Sequence, residues 1–339
     1  MVLQPQPPIS PYGTLSGQLF LYAGCRAAFE SVILTPSTRE PAVLSPNKCI
    51  LLGGLSDGLL PVPYTQQLEN ICFKTQTKLV DGDADCDVAS SWSLVQPLLS
   101  SSYLGFGNGS LLRDTQELDE LFSYLTHHRQ ATRQFCLIGH STGCQNIVHY
   151  LQHGNPEFVQ RISLCVLQAP VSDREHAMME REAYETNLEL AKSLKSSDSG
   201  GDAMMPRSAF WAPITADRYL DLHERGGADD FFSSDFSDNE LQERLQHVGT
   251  CTPMANKDGR HTKRKALVVF SGSDEYVPEH IDSKLLTDRL VAAMNTNCED
   301  DPVALPLFLQ KSNHNLSSSE EERDTFVRKV QSLLVESNS

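Results

Sequence analysis

Residues 134–153, QFCLIGHSTGCQNIVHYLQH, run an apolar stretch into a glycine-bracketed serine and on into an amphipathic pattern with Ile147, Tyr150 and Leu151 on one face. A strand that turns straight into a helix needs glycines where side chains would collide, and it leaves the apex residue exposed. This feature constrains the chain more than its composition does. The Gly-x-Ser-x-Gly pattern alone is weak, since a chain of this length meets one by chance roughly one time in ten. A second copy, Gly54-Leu55-Ser56-Asp57-Gly58, is present.

Short β-rich segments alternate with helical patterns, which predicts an α/β chain with a mainly parallel central sheet flanked by helices. GQLFLYAG and AAFESVILTP read as an opening pair of strands, and NKCILLGG, apolar on both faces, as a central one. QFCLIG, RISLCVLQAP, KALVVFSGS and VALPLFLQ continue the series, with helical spacing over 112–128, 144–153, 279–294 and 318–336. From Asp173 to Lys265 no strand pattern appears. An acidic helix over about 174–195 precedes a link, SSDSGGD, that has no apolar residue and is expected to be flexible. Helical pieces follow near 214–225 and 237–248, the latter opening on the capping box Ser237-Asp238-Asn239-Glu240. The organisation expected is a core of residues 1–172 and 266–339 carrying a helical cap, or lid, of residues 173–265.

With 28 Lys plus Arg against 44 Asp plus Glu, the 339 residues carry a formal charge of −16, which repels phosphate backbones and anionic lipid. Nucleic-acid and membrane partners are therefore disfavoured. No apolar run approaches the roughly 18 residues of a membrane span, and MVLQPQPPISPYG lacks the basic region and apolar core of a signal peptide. The nine cysteines form no C-x-x-C pair, and several lie in apolar runs, so they read as reduced thiols of a cytoplasmic protein rather than zinc ligands.

Of the two serines, Ser141 has the strand before it and the helix after it. Ser56 is followed by GLLPVPY, where Pro61 and Pro63 forbid a helix interior. Ser141 is therefore the candidate nucleophile. The GGLSDG loop, following an early central strand, stands where such a fold recruits an oxyanion-hole amide, so the N–H groups of Leu55 and Thr142 are the candidate donors. Asp57 reads as a turn-former. The order nucleophile, acid, histidine selects Asp274 in VVFSGSDEYVP and His314 in LQKSNHNLSS, with Glu275 and Asp173 as rival acids. His280, six residues past Asp274, reads as a surface residue, and His140 as packing or cavity lining. In this scheme His314 takes the Ser141 proton, Asp274 fixes the imidazole, and no metal or cofactor is needed. GFGNG at 105–109 lacks the third glycine of a dinucleotide loop and reads as a connection after the apolar segment Leu94–Leu99.

Taken together, GGLSDG, HSTGCQN, LQAPVSDRE, DDFFSSDFSD and SGSDEYVP resemble a family of α/β-hydrolases of fungi and plants long labelled as a domain of unknown function. The resemblance spans nearly the whole chain. It implies the α/β-hydrolase fold, the roles of Ser141, Asp274 and His314, and a small-molecule ester substrate. Fungal members resemble or include siderophore esterases acting on fusarinine-type iron chelators, so a siderophore ester is one expectation. An acyltransferase or thioesterase on the same triad, and a catalytically silent binding protein, are the alternatives.

Overall fold

A computed structural model describes residues 12–38, 41, 45–80, 90–129, 132–198, 200–249, 263–298 and 301–337. The strands are β1 Gly17–Tyr22, β2 Arg26–Ser31, β3 Asn47–Leu52, β4 Trp92–Pro97, β5 Gln134–His140, β6 Ile162–Gln168, β7 Lys265–Ser271 and β8 Ala304–Leu309. The helices are α1 Thr65–Val80, α2 Leu111–Tyr124, α3 Thr142–His153, α4 Pro156–Val159, α5 Asp173–Ala177, α6 Arg181–Lys195, α7 Ala216–His223, α8 Asp238–Leu245, α9 Ser283–Asn295 and α10 Glu320–Glu336. Among the described residues one sheet runs in the order β1-β2-β4-β3-β5-β6-β7-β8. β2 pairs antiparallel with β1 and β4, and every pairing from β4 through β8 is parallel.

The central strands are apolar on both faces because both are covered. Leu137, Cys165 and Val268 point into one layer, with Leu118, Leu121 and Phe122 of α2, Ile147 and Val148 of α3, and Leu286 and Leu290 of α9. Ile138, Val166 and Val269 point the other way, against Leu68 and Ile71 of α1 and Phe326, Val330 and Leu333 of α10. This two-sided layering gives the sheet a free C-terminal edge, where the loops after β3, β5, β6, β7 and β8 gather.

Two elements lay beyond the periodicity. α1 (TQQLENICFKTQTKLV) sets its buried Leu68, Ile71 and Cys72 among polar residues, and it starts just past the prolines that close the Ser56 loop. β4 (WSLVQP) is buried throughout, though its apolar run is too short to announce a strand.

Within 173–265, α6 and α7 close an apolar cluster of their own around Ala191, Met205, Ile214, Tyr219 and Leu220. Phe231, Phe232, Phe236, Leu241 and Leu245 instead join the main core. Arg289 of α9 secures that stretch, donating to Asp238 Oδ1 and Ser234 O at 2.8 Å each. Residues 1–11 and 250–262, which hold most of the amino-terminal stretch and the end of the expected cap, lie outside the described residues. So does Ser199 of SSDSGGD. In the described part of that link Gly201 O accepts Asp217 N–H at 2.9 Å, and just past it Ala203 O accepts Ala216 N–H at 2.8 Å.

GFGNG has a structural task. Thr215 N–H donates to Gly107 O at 2.8 Å, and a Cβ at Gly107 would strike the Pro213 carbonyl. Gly107→Ala should therefore push the α7 segment off the sheet edge. A clash against backbone costs about 1–3 kcal/mol, so the melting temperature should fall by at least about 2 °C. Calorimetry checks it.

Candidate active site

β5 delivers Ser141 at φ +53 and ψ −124, between the last strand residue and the first turn of α3. A Cβ at Gly143 would run into the carbonyl oxygens of Leu52 and Gly53, and one at Gly139 into the backbone of Gly143. Both bracketing glycines thus let the elbow pack against the end of β3. The Ser141 N–H donates to Gln168 O at 3.0 Å.

The loop after β3 lies directly on the elbow: a Cβ at Gly54 would sit 2.9 Å from Ser141 Cβ and 3.4 Å from its Oγ. Asp57 is the expected turn-former. Its Oδ2 accepts Gly54 N–H at 2.7 Å and its own N–H donates to Gly54 O at 3.0 Å, which fixes Leu55 between them. The N–H groups of Leu55 and Thr142 have no hydrogen-bond partner among the described residues. Ser56, at φ +67, sits in this turn with no helix until Thr65.

His314, on the loop after β8, meets Asp274, on the loop after β7, with Nδ1 at 2.9 Å from both carboxylate oxygens. Both are buried. Asp274 also accepts Tyr276 N–H at 3.0 Å, so its carboxylate is held from two sides. The rivals sit elsewhere: Glu275 accepts the backbone N–H of His314 at 2.9 Å, and Asp173 accepts Gln145 Nε2 at 3.2 Å. His280 is exposed. Tyr276 and His140 flank the His314 ring, at centroid distances of 4.5 Å and 4.8 Å. Gln168, at the end of β6 and within LQAPVSDRE, had no role assigned from the sequence; its Nε2 donates to His314 O at 2.8 Å.

Ser141, His314, His140, Leu55 and Asp57 line a common cavity of about 830 Å³. Its opposite wall comes from the segment after β6, through Tyr184, Asn187, Phe210, Trp211 and Tyr219. The volume suits a ligand of drug-like size or somewhat larger. Burial, reinforced by the charge of Asp229, pushes the Asp173 carboxyl in this wall up to about 7.

Over residues 6–335 the chain matches the family described as "Protein of unknown function (DUF1749)". It belongs to that family. A Schizosaccharomyces pombe protein named UPF0613 protein PB24D3.06c is 35% identical over 71% of this chain and 72% of its own length. Fusarinine C esterase sidJ of Aspergillus fumigatus is 29% identical, across 94% of this chain and 96% of its own. Among solved structures, the siderophore hydrolase EstB from Aspergillus fumigatus superposes with a TM-score of 0.72 at 27% identity, over 96% of this chain and 99% of that one. The fold is the α/β-hydrolase fold. With esterases among its relatives, this DUF1749 protein is a carboxylic ester hydrolase by class.

Asp173 yields a pH prediction. A carboxyl raised in the folded state binds its proton more tightly there than in the unfolded chain. The stability this confers is complete below the ordinary carboxylate range and is lost as pH rises through about 7. Asp173→Asn should therefore raise the melting temperature more at pH 8 than at pH 5. Equal shifts at the two pH values would refute it.

Proposed function

We propose that the protein cleaves its ester through Ser141, His314 and Asp274 by way of an acyl-enzyme. The observation that carries this reading is His314, bound through Nδ1 to Asp274, lining the same cavity as a serine at φ +53. With Nδ1 committed to Asp274, Nε2 of His314 is the nitrogen left to take the Ser141 proton as Oγ bonds to the ester carbon. The carbonyl π electrons move onto oxygen, and the N–H groups of Leu55 and Thr142 receive that charge. Collapse expels the alcohol, which leaves with the proton from His314. Water then repeats the cycle on the acyl-Ser141 ester and releases the acid.

Segment 173–265 is read as the cap, with α6 and α7 the part that walls the cavity and selects substrate. The substrate proposed is a fusarinine-type siderophore ester. The names of the sidJ and EstB relatives support this, as does a cavity roomy enough for a bulky polar ester. No helix among the described residues is long and apolar enough to cross a membrane. The free state of the seven described cysteines supports a cytoplasmic setting.

Ser141→Ala should lower kcat on a short-chain ester by on the order of ten-thousand-fold or more, with an unchanged melting curve. It should also abolish labelling by a fluorophosphonate. Ser56→Ala should stay close to wild type; a dead Ser56→Ala beside an active Ser141→Ala would reverse the assignment. For substrate, rates on fusarinine-type esters, a short acyl ester and a triglyceride emulsion should rank the first highest. Preference for the emulsion would overturn the siderophore reading and leave the triad untouched.

A further inference from the structure

Gln168 is completely buried and does not line the cavity. Its main chain and side chain nevertheless meet each part of the proposed machinery on the β5 and β8 loops. The carbonyl oxygen accepts Ser141 N–H at 3.0 Å and the Cys144 thiol at 3.3 Å. Nε2 donates to His314 O at 2.8 Å, while Oε1 lies 2.8 Å from Tyr64 Oη and 2.7 Å from His140 Nδ1. A backbone carbonyl can only accept, so the amide NH2 must face His314 and Oε1 must face the other two. His140 then carries its proton on Nδ1, leaving Nε2 as the bare nitrogen. The chain turns sharply next, with Ala169 at φ +56, so the position is not free to drift along the strand.

The His140 ring stands 4.8 Å from that of His314. Burial, and then the charge of His314, pushes its pKa down to about 3, so His140 is neutral wherever the enzyme works. This matters because a cationic neighbour would oppose the imidazolium that His314 must become. Other titratable groups facing the pair are Asp274, Glu275 and Tyr276 after β7, Asp57 after β3, Asp173 and His176 of α5, and Tyr64 ahead of α1.

We propose that Gln168 is a positioning residue of the esterase, fixing the His314 loop relative to the Ser141 elbow and holding His140 as the neutral Nδ1–H tautomer beside His314. The inference rests on the triad reading above. A side chain that merely filled the core would affect melting and would leave the kinetic constants alone.

The test is a steady-state series on a short-chain ester with wild type, Gln168→Met, Gln168→Glu, Tyr64→Phe and Ser141→Ala. Gln168→Met keeps the volume and removes every side-chain hydrogen bond. Its kcat should fall by about ten- to a hundred-fold, as for a small misplacement of a catalytic group. Its KM should stay within about twofold of wild type, because the residue touches no substrate. Gln168→Glu has a donor for His314 O only while its carboxyl is protonated. Its kcat should therefore decline as pH rises through a range where wild type does not, and this readout survives if the Met variant fails to fold. Tyr64→Phe, which loses one contact outside the elbow and the His314 loop, should keep most of the activity.

The proposal is overturned if folded Gln168→Met keeps kcat within threefold of wild type, if Gln168→Glu shows no added pH dependence, or if Tyr64→Phe loses as much as Gln168→Met. Ser141→Ala separates the two failures. An active Ser141→Ala protein overturns the triad reading and this inference with it. An inactive one beside an unimpaired Gln168→Met protein overturns the inference alone.

Discussion

Ser141 stands at φ +53, a conformation that costs a residue with a Cβ on the order of 1–3 kcal/mol and persists only where the surroundings over-determine it. Here three contacts do so. Gly143 lies against the carbonyls of Leu52 and Gly53, Gly139 against the Gly143 backbone, and the Ser141 N–H is bound by Gln168 O. Leu52, Gly53 and Gln168 belong to a neighbouring parallel strand or to the loop leaving it, while the Gly143 backbone is the first turn of α3. The parallel order β3-β5-β6 is thus what makes the elbow possible, because only parallel neighbours end side by side at the same edge. The buried double layer of helices stiffens that edge in turn.

The same edge explains how residues far apart in the chain become one site. β7 and β8 pair in parallel beyond β6, so their outgoing loops emerge next to the elbow, and Asp274 meets His314 across 40 residues of sequence. Backbone bonds lock the two loops together, Gly272 N–H to Leu309 O at 2.8 Å and Ser273 N–H to Ser312 O at 3.0 Å. The cavity's chemical floor is therefore rigid. Its wall comes from α6, α7 and the chain between them, packed in a cluster separate from the one beneath the floor.

The sequence made the elbow legible because a strand, a turn and a helix occupy consecutive residues, and the glycines that permit the turn are neighbours of the serine. The pairing of Asp274 with His314 was legible through chain order, since each follows an apolar strand. Gln168 was not. It ends an apolar strand, SLCVLQ, where any polar residue would look ordinary, and its partners at 64, 140, 141 and 314 converge only in three dimensions. α1 was missed for a related reason. Its short stripe of Leu68, Ile71 and Cys72, set among polar residues, is buried against the sheet, and Tyr64 just ahead of it meets Phe326 of α10 at 4.8 Å.

An oxyanion raises a further electrostatic problem, because the loops around Leu55 and Thr142 are backed by acids. A small cavity of about 40 Å³ joins Thr142, Leu55 and Gly54 to Asp57, Asp114, Asn146, Arg218 and Asp229. Three carboxylates beside a developing negative charge would work against catalysis if all were ionised and unpaired. The structure pairs one of them with a cation and hydrogen-bonds the other two. Asp229 is paired with the buried Arg218 guanidinium at 2.6 Å. Burial pushes the carboxyls of Asp57 and Asp114 above the ordinary carboxylate range, while Gly54 N–H and the Asn146 amide donate to them. Arg218 lies on α7, so the segment that walls the cavity also brings a cation to the back of the candidate hole. The wall of the large cavity and the cation behind Leu55 and Thr142 thus come from the same helix, and the Gly107–Thr215 contact holds the start of that helix.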